Sequence, residues 1–339
     1  MKIKSWCMSA LLSLFLSPAY GSCVMVTESQ SLPLYIRPQQ CFELQGGNII
    51  TSDLNVQGKL FIKAGRKVTL APGKSITIKN GGILEIRGEF IAREHSALNI
   101  DHMSSFNNSG LLYLAMGAQV NTRGKTSIKN IGKMLLESQA SLTLTQHTTF
   151  KTSGTITLDQ AAINISHEST FNNSGTLEIL ALSHLNFKDK SSFVNAGKTN
   201  LSNKALLSFS DHSKFISKRQ FTPYGFLLLT KNAIFENLAT FRQQAQGQFK
   251  LADNAQLLNN HTLELSGTTL FTNGARILND GVLVVKKGAQ VKTEQLAVMI
   301  NTGTFRNEGG SFTIDNQSNF INENIVSGEQ SRSQGRNRL

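Results

Sequence analysis

The sequence predicts an all-β fold, a right-handed single-stranded parallel β-helix (a solenoid) of about 12 coils of 20–22 residues. The first observation behind this prediction is a motif that recurs along most of the chain, as in Phe171–Ile179 and Phe193–Leu201. The second is its fixed step, because the glycine of the motif or its replacement returns every 20–22 residues. The third is the alternation of apolar and polar residues within each copy, which is the period of a β-strand.

Each copy has room for about three short strands and three turns, which together make one coil of a parallel β-helix. A glycine in the motif is expected where the turn needs φ > 0 or no Cβ. Four residues before the glycine the chain carries a bulky apolar side chain, as at Phe171 and Phe193, which should point into the core. The anchors of the copies are Gly88, Gly110, Gly132, Gly154, Gly175, Gly197, Arg219, Ala239, His261, Gly281, Gly303 and Asn324.

Asparagine dominates the position two residues before the anchor. Because the coils stack in register, the side-chain amides at this position can bond from one coil to the next, as asparagine ladders do in stacked β structure. The sequence therefore predicts an internal structural ladder at a bend of the coil. Its members are Asn108, Asn130, Asn173, Asn195, Asn237, Asn259, Asn279, Asn301 and Asn322.

The first 21 residues have the pattern of a secretory signal peptide: basic residues, a short apolar run and small residues before the expected cleavage after Gly21. The run is too short to span a membrane. Cleavage removes Cys7 and leaves Cys23 and Cys41, an even pair that predicts a disulfide in an exported chain. A lipoprotein alternative stays open, because Cys23 follows a small-residue segment.

The domain organisation follows from where the repeat begins and ends. Residues 22–58 do not follow it and are expected to form an N-terminal cap that contains the disulfide. Residues 59–326 are expected to form the β-helix. Residues 327–339 are polar and contain arginines, and they are expected to form a disordered basic tail. The pattern weakens at 218–247, where a bulge or a loop leaving the solenoid is expected.

A turn 13 to 17 residues after successive anchors collects basic residues and histidines. Stacking of the coils would align these residues in a stripe along one edge, which is the expected ligand-binding surface. Solvated turns are the alternative interpretation, and Glu168, Asp189 and Asp211 reduce the positive charge. The stripe consists of Arg123, Lys125, His147, His167, Lys188, Lys190, His212 and Lys214.

The sequence contains no motif typical of an enzyme. Its acidic residues are scattered singly, and no nucleophile elbow, phosphate loop or metal-ligand spacing occurs, so neither a catalytic residue, a metal nor a cofactor is predicted. The alternative is a polysaccharide-active enzyme, a pectin-lyase-like lyase or a glycoside hydrolase, whose site would be assembled between coils of about 147–215.

The positive net charge of the chain favours an anionic partner. Loss of Lys2 and Lys4 with the signal peptide lowers the formal net charge from +12 to +10, which suits an acidic polysaccharide or a host or cell-surface glycan. No basic helix or aromatic stacking platform points to nucleic acid. No other segment is apolar enough to predict a transmembrane helix.

The Phe-x-Asn-x-Gly-x-Leu-x-Leu pattern of Phe171–Ile179 and Phe193–Leu201 resembles the repeats of secreted bacterial β-helix proteins, the haemagglutinin-like and autotransporter-passenger adhesins. The resemblance covers about 58–324. It implies export to the periplasm, the cell surface or the medium, and a role in adhesion or surface binding. No C-terminal membrane barrel of the autotransporter kind is recognised in the sequence.

Overall fold

A computed structural model describes residues 23–28, 31–323 and 326–328. The predicted signal peptide and most of the predicted basic tail therefore lie outside the described residues, although the strand Val326–Gly328 reaches the first positions of that tail. The described chain is a parallel β-solenoid of about 14 turns, which confirms the predicted β-helix. Each complete coil contributes one strand to each of three faces, and we call these faces 1, 2 and 3 in chain order.

Face 1 is one sheet of fifteen parallel strands. Its pairings place side chains of successive coils directly above one another, as in Phe171 opposite Phe193. Its strands are Val24–Val26, Cys41–Leu44, Lys59–Ile62, Ile83–Ile86, Ser105–Asn108, Ser127–Asn130, Thr149–Thr152, Thr170–Asn173, Ser192–Asn195, Lys214–Ser217, Ile234–Asn237, Gln256–Asn259, Arg276–Asn279, Val298–Asn301 and Asn319–Asn322.

Face 2 is divided into a sheet of nine strands and a sheet of five. The nine strands are Ile49–Ile50, Lys67–Leu70, Glu89–Ala92, Leu111–Leu114, Lys133–Glu137, Thr155–Asp159, Thr176–Ile179, Lys198–Leu201 and Thr222–Pro223. The five that follow are Thr240–Arg242, Thr262–Leu265, Val282–Val285, Thr304–Asn307 and Val326–Gly328.

Face 3 is one sheet of fourteen strands. They are Tyr35–Ile36, Leu54–Val56, Ser75–Ile78, Ala97–Asp101, Gln119–Arg123, Ser141–Leu144, Ala162–Ile165, His184–Phe187, Leu206–Phe209, Phe226–Leu229, Gln248–Leu251, Thr268–Phe271, Gln290–Thr293 and Ser311–Ile314. The count of coils exceeds the predicted 12 because strands within 35–70 already run in coils, although their sequence lacks the anchor motif.

No loop leaves the solenoid within 218–247, so the loop expected there is wrong. Faces 1 and 3 continue without interruption, and only face 2 breaks, between Pro223 and Thr240. Proline has no N–H to donate to a neighbouring strand, which accounts for the break. A single parallel bridge, from Phe221 to Phe241, joins the two parts. Within Phe226–Leu229 the alternate residues Leu227 and Leu229 are fully buried.

The anchor glycines are required by the stacking of the coils. A Cβ on Gly154 would lie 2.0 Å from the carbonyl oxygen of Gly132, and one on Gly175 would lie 2.0 Å from that of Gly154. Neither glycine has a positive φ. Close approach of successive backbones, and not a left-handed turn, therefore selects glycine at these positions.

The asparagine side chains lie at the corner between faces 1 and 2, and all of the predicted ladder residues are buried except Asn322, which is exposed in the last strand of face 1. Asn108 Nδ2 donates to Asn130 Oδ1 at 2.7 Å, and Asn237 Nδ2 donates to Asn259 Oδ1 at 2.7 Å. Thr152 and Ser217 occupy the same position in other coils and interrupt the row. These bonds give most of the buried amide groups a partner that water would otherwise supply, whereas Asn195 Nδ2 has none.

Cys23 and Cys41 form a disulfide, as predicted. The bond connects two neighbouring strands of face 1, in which Val24 pairs with Phe42. The Sγ atom of Cys23 that forms the bond is not available to carry a lipid, so the lipoprotein alternative and the disulfide exclude each other. The role of 22–58 as a cap stays a prediction, although its strands add to all three faces.

Candidate functional site

The candidate site is the edge between faces 3 and 1, which we call edge 3–1. The turn Ser166–Ser169 has four residues, and the N–H of the fourth donates to the C=O of the first at 3.2 Å, as it also does in the next two turns along the chain. The fourth residue is small and buried, for example Ser169, Ser191 and Ser213. The second and third residues form the tip and face outward. Stacking of the coils therefore arranges the tip residues in two columns.

Most of the tip residues have left-handed backbone conformations. His167 and Glu168 have φ values of 51° and 60°, and Asp189 and Lys190 have values of 53° and 59°. Such values are unfavourable for residues other than glycine. Hydrogen bonds between successive tips offset this cost, since the N–H of Glu168 donates to the C=O of Asp189 at 3.1 Å. Such bonds connect the tips at His147, His167, Glu168 and Asp189 to those of the neighbouring coils.

An open groove of about 770 Å³ runs along edge 3–1 across five coils. Five of the eight stripe residues line it, whereas Arg123, Lys188 and Lys214 are not in its wall. Arg123 and Lys188 are exposed beside the groove, and Lys214 lies on face 1. The groove is lined by Gly124, Lys125, Gln146, His147, His167, Glu168, Asp189, Lys190, Asp211 and His212.

Carboxylates partly neutralise the cations of the stripe. His147 Nδ1 lies 3.5 Å from Glu168 Oε2, and Lys190 Nζ lies 3.9 Å from Oε1 of the same carboxylate. His167 Nδ1 lies 3.8 Å from Asp189 Oδ2. These pairs are exposed to solvent, so each contributes little to stability. The side chains that line the groove include two lysines and three carboxylates, so the groove is less basic than the stripe residues alone predict.

Two carboxylates that are distant in sequence occupy equivalent tips of consecutive coils. Asp189 and Asp211 both line the groove. They are 22 residues apart, which is also the step between paired residues of the strands beside them. In the sequence these acidic residues stand singly, with no second acid beside them. The spacing of one repeat was the signal that could have identified the pair.

The ionisation of Asp211 follows from its neighbours. The pKa of its carboxyl is lowered, first by the hydrogen bond from Lys231 Nζ at 2.7 Å and then by Ser210, while partial burial opposes the shift. Asp211 is therefore ionised at neutral pH. It can accept hydrogen bonds from a ligand, but it does not hold a proton to donate as a general acid.

No group of three or more His, Cys, Asp or Glu side chains in the described part of the chain is arranged to hold a metal ion. Within the same residues no helix is long and apolar enough to cross a membrane. What the groove offers is a row of exposed ammonium, imidazole, amide and carboxylate groups at the repeat spacing of the coils. Such a row can bind an extended, polar, multiply charged chain by many weak contacts.

The fold and the groove define an all-β parallel β-solenoid with a polar groove along one edge. Among solved structures, the chain is matched to the TibC-catalyzed hyper-glycosylated TibA55-350 fragment. The identity is 12%, the TM-score is 0.32, and the match covers 92% of this chain and 97% of that chain. No family model matches the sequence, and no curated protein matches it.

Proposed function

We propose that this protein is an exported, non-enzymatic β-solenoid that serves as an adhesin or extracellular binding scaffold and contacts acidic glycans along edge 3–1. The observation that carries the proposal is the groove itself, a continuous row of exposed charged and amide side chains across five coils. Because each coil adds the same turn, the surface is long and repetitive, which suits a polymer with a repeating unit more than a compact small molecule.

Two further features support export and an acidic partner. The disulfide between Cys23 and Cys41 is typical of oxidising compartments outside the cytoplasm. The sequence carries a formal net charge of +12, or +10 after loss of the expected signal peptide. An excess of this size attracts anionic polymers over distances of roughly one Debye length, about 8 Å at physiological salt.

A glycan-array screen of residues 22–339 at two salt concentrations tests the proposed function. We expect retention of acidic glycans that weakens as salt is raised, because the attraction is electrostatic and screened. Mass spectrometry of the retained glycans is expected to show them intact. Failure to retain any glycan at low salt would contradict the proposed function.

Substitution within the groove tests its contribution. Lys125 and Lys190 both line the groove, so the double variant Lys125→Gln, Lys190→Gln should weaken retention of acidic glycans. The matched control is Lys250→Gln, Lys292→Gln, which removes the same charge from the outer surface of face 3. Equal retention by the two variants would show that the groove is not the contact surface.

The paired tips of Asp189 and Asp211 favour one alternative, a polysaccharide-active enzyme, because glycoside hydrolysis needs two carboxyl groups facing one bond. The low pKa of Asp211 leaves a base in the groove but no acid at this position. Incubation with polygalacturonate and other acidic polysaccharides distinguishes the two functions. Shortened chains or unsaturated ends that disappear in Asp211→Asn would replace the binding proposal with the enzymatic one.

A further inference from the structure

The outer surface of face 1 next to the groove contains no acidic side chain over four consecutive strands. These strands are Ser105–Asn108, Ser127–Asn130, Thr149–Thr152 and Thr170–Asn173. Their outward residues are serine, threonine, asparagine and lysine only. This surface differs from edge 3–1, where carboxylates lie beside the cations.

Two lysines lie directly above one another at the centre of this surface. Lys129 and Lys151 are paired positions of neighbouring strands, and both are exposed. Parallel strands are about 4.8 Å apart, so two like charges at paired positions repel each other. An anion bound between the ammonium groups would remove that repulsion.

Neither lysine has a carboxylate partner within 4.0 Å among the residues that the structure describes. The same outward column contains Glu85 above them and Glu236 below. Arg87 pairs with Glu85 at 2.5 Å, and Lys214 pairs with Glu236 at 2.7 Å. The acids of the column are thus already engaged.

A shallow depression of about 200 Å³ opens beside the two lysines. Its wall includes the outward amide of Asn172, which follows Lys151 in the column, and the exposed Ser153 and Ser174 of the turns toward face 2. Amide and hydroxyl groups of this kind bind the hydroxyls of a sugar, whereas the ammonium groups bind an anionic substituent. Both kinds of group occur side by side here.

We propose that Lys129, Lys151, Asn172 and Ser153 form a subsite for a sulfate or carboxylate substituent of an acidic glycan, with the anion between the two ammonium groups. The inference rests on the proposed function and deepens it by naming the anionic group and the side chains that bind it. A glycan chain in the groove reaches this subsite by crossing from edge 3–1 onto face 1, because Lys125 and Lys129 are four residues apart on the same coil.

The experiment compares three forms of the full chain: the wild type, Lys129→Gln with Lys151→Gln, and the control Lys250→Gln with Lys292→Gln. The control removes two lysines from the outward column of face 3, where Leu270 separates them by one coil. Both variants lose the same charge, and only the first loses a stacked pair. Binding is measured with dextran sulfate, neutral dextran and inorganic sulfate at equal ionic strength.

We expect the wild type to bind dextran sulfate, and the Lys129, Lys151 variant to bind it about tenfold more weakly, because two direct contacts with the anion are lost. The control should change affinity by less than about twofold, since only the screened long-range field changes. Dextran should bind weakly to all three forms, and inorganic sulfate should compete with dextran sulfate in the wild type only weakly, because a single anion lacks the sugar contacts.

Equal loss of affinity in the two variants would overturn the subsite and leave the proposed function standing. No binding of dextran sulfate or of any acidic glycan by the wild type would overturn both. Binding of inorganic sulfate as tight as that of dextran sulfate would overturn the assignment to a glycan and identify a site for a free anion.

Discussion

The middle and the C-terminal coils have the same backbone geometry but different interiors. At the buried apolar position of face 1, the middle coils carry a stack of phenylalanines: Phe150, Phe171, Phe193, Phe215 and Phe235. Their successive ring centroids are 4.8, 5.3, 5.3 and 4.6 Å apart. The equivalent residues of the next three coils are Leu257, Ile277 and Met299, which have no rings to stack.

The asparagine row shows the opposite trend. In the middle coils it is interrupted at Thr152 and Ser217, and the Nδ2 of Asn195 has no hydrogen-bond partner. In the C-terminal coils it is continuous from Asn237 to Asn322, with each Nδ2 donating to the next Oδ1. The coil therefore tolerates different residues at these two interior positions, with stacked rings and an interrupted asparagine row in the middle coils, and aliphatic side chains and a continuous row in the C-terminal coils.

The largest expected effect comes from removing a ring at the centre of the phenylalanine stack. Phe193 contacts the rings of Phe171, Phe187 and Phe215 at centroid distances of 5.3 Å each. Phe193→Ala should lower the free energy of local unfolding by about 3–5 kcal/mol, because it leaves a cavity and removes stacked pairs. Native-state hydrogen exchange of amides in the adjacent coils measures this change.

The control for this prediction is Leu257→Ala, at the same column position outside the stack. Leu257→Ala should lower the free energy of local unfolding by less than Phe193→Ala does, because no ring pairs are lost. An equal cost would show that the phenylalanines contribute only by filling volume.

The next largest expected effect is the loss of stability when an asparagine of the row is replaced by leucine, and it should differ between the continuous and the interrupted parts of the row. Asn279 accepts from Asn259 at 2.5 Å and donates to Asn301, so Asn279→Leu leaves two buried amides short of a partner. This change should destabilise the C-terminal coils by about 1–3 kcal/mol. Asn195→Leu takes an acceptor from Asn173 Nδ2 and Thr199 Oγ1, but it should cost less, because it also removes an Nδ2 atom that has no partner in the native state.

Hydrogen exchange of amides near each substitution measures both costs. Similar values for the two variants would contradict the view that continuity of the ladder matters. A stabilising effect of Asn195→Leu would sharpen the comparison, since it would show that the middle coils are held mainly by their apolar packing.

The smallest expected effect is a pH dependence in the second part of face 2. The hydrogen bond from Arg242 lowers the pKa of Glu264 below its ordinary value of 4.5, against the opposing effect of partial burial. A lowered folded-state pKa contributes stability that is present above the ordinary pKa and is lost as pH falls through the folded-state value. Glu264→Gln should therefore reduce stability at pH 7 by less than about 1 kcal/mol and make little difference in acid.

Urea denaturation of the wild type and of Glu264→Gln at pH 7 and at low pH measures how the loss of stability changes with pH. The matched control is Glu308→Gln, whose partner Lys286 lies 2.8 Å away in a more exposed pair. An effect of Glu264→Gln that grows as the pH falls would contradict the assignment.

The fold could be predicted from the sequence because both the strands and the stacking of the coils produce regular repeats along the chain. Alternation at Leu177 and Ile179 indicated a strand, and the 20–22-residue step indicated stacking. Five of the predicted stripe residues line one groove, whereas Lys214 lies on a strand of face 1, and the stripe as a ligand-binding surface stays a prediction. The sequence predicted too few coils, because the strands near Tyr35 and Ile49 lack the motif and owe their place to pairing with later coils.

The electrostatic character of the candidate site was not predictable in the same way. Lys190 and His147 share Glu168, and Lys214 is bound to Glu236, because the coils bring together residues about 20 positions apart. The acid-free surface around Lys129 and Lys151 was missed, because a lysine column is visible only once outward positions of different strands are compared.

The sequence by itself determined the strand period and the apolar positions of the core, such as Phe171 and Phe193, since these depend on local alternation, and it predicted the disulfide between Cys23 and Cys41. Only the tertiary structure decided which charges lie beside one another and which asparagines of the row are hydrogen-bonded to the next. The physical reason is that electrostatic and packing energies depend on distances between coils, and those distances are set by the register in which the coils stack.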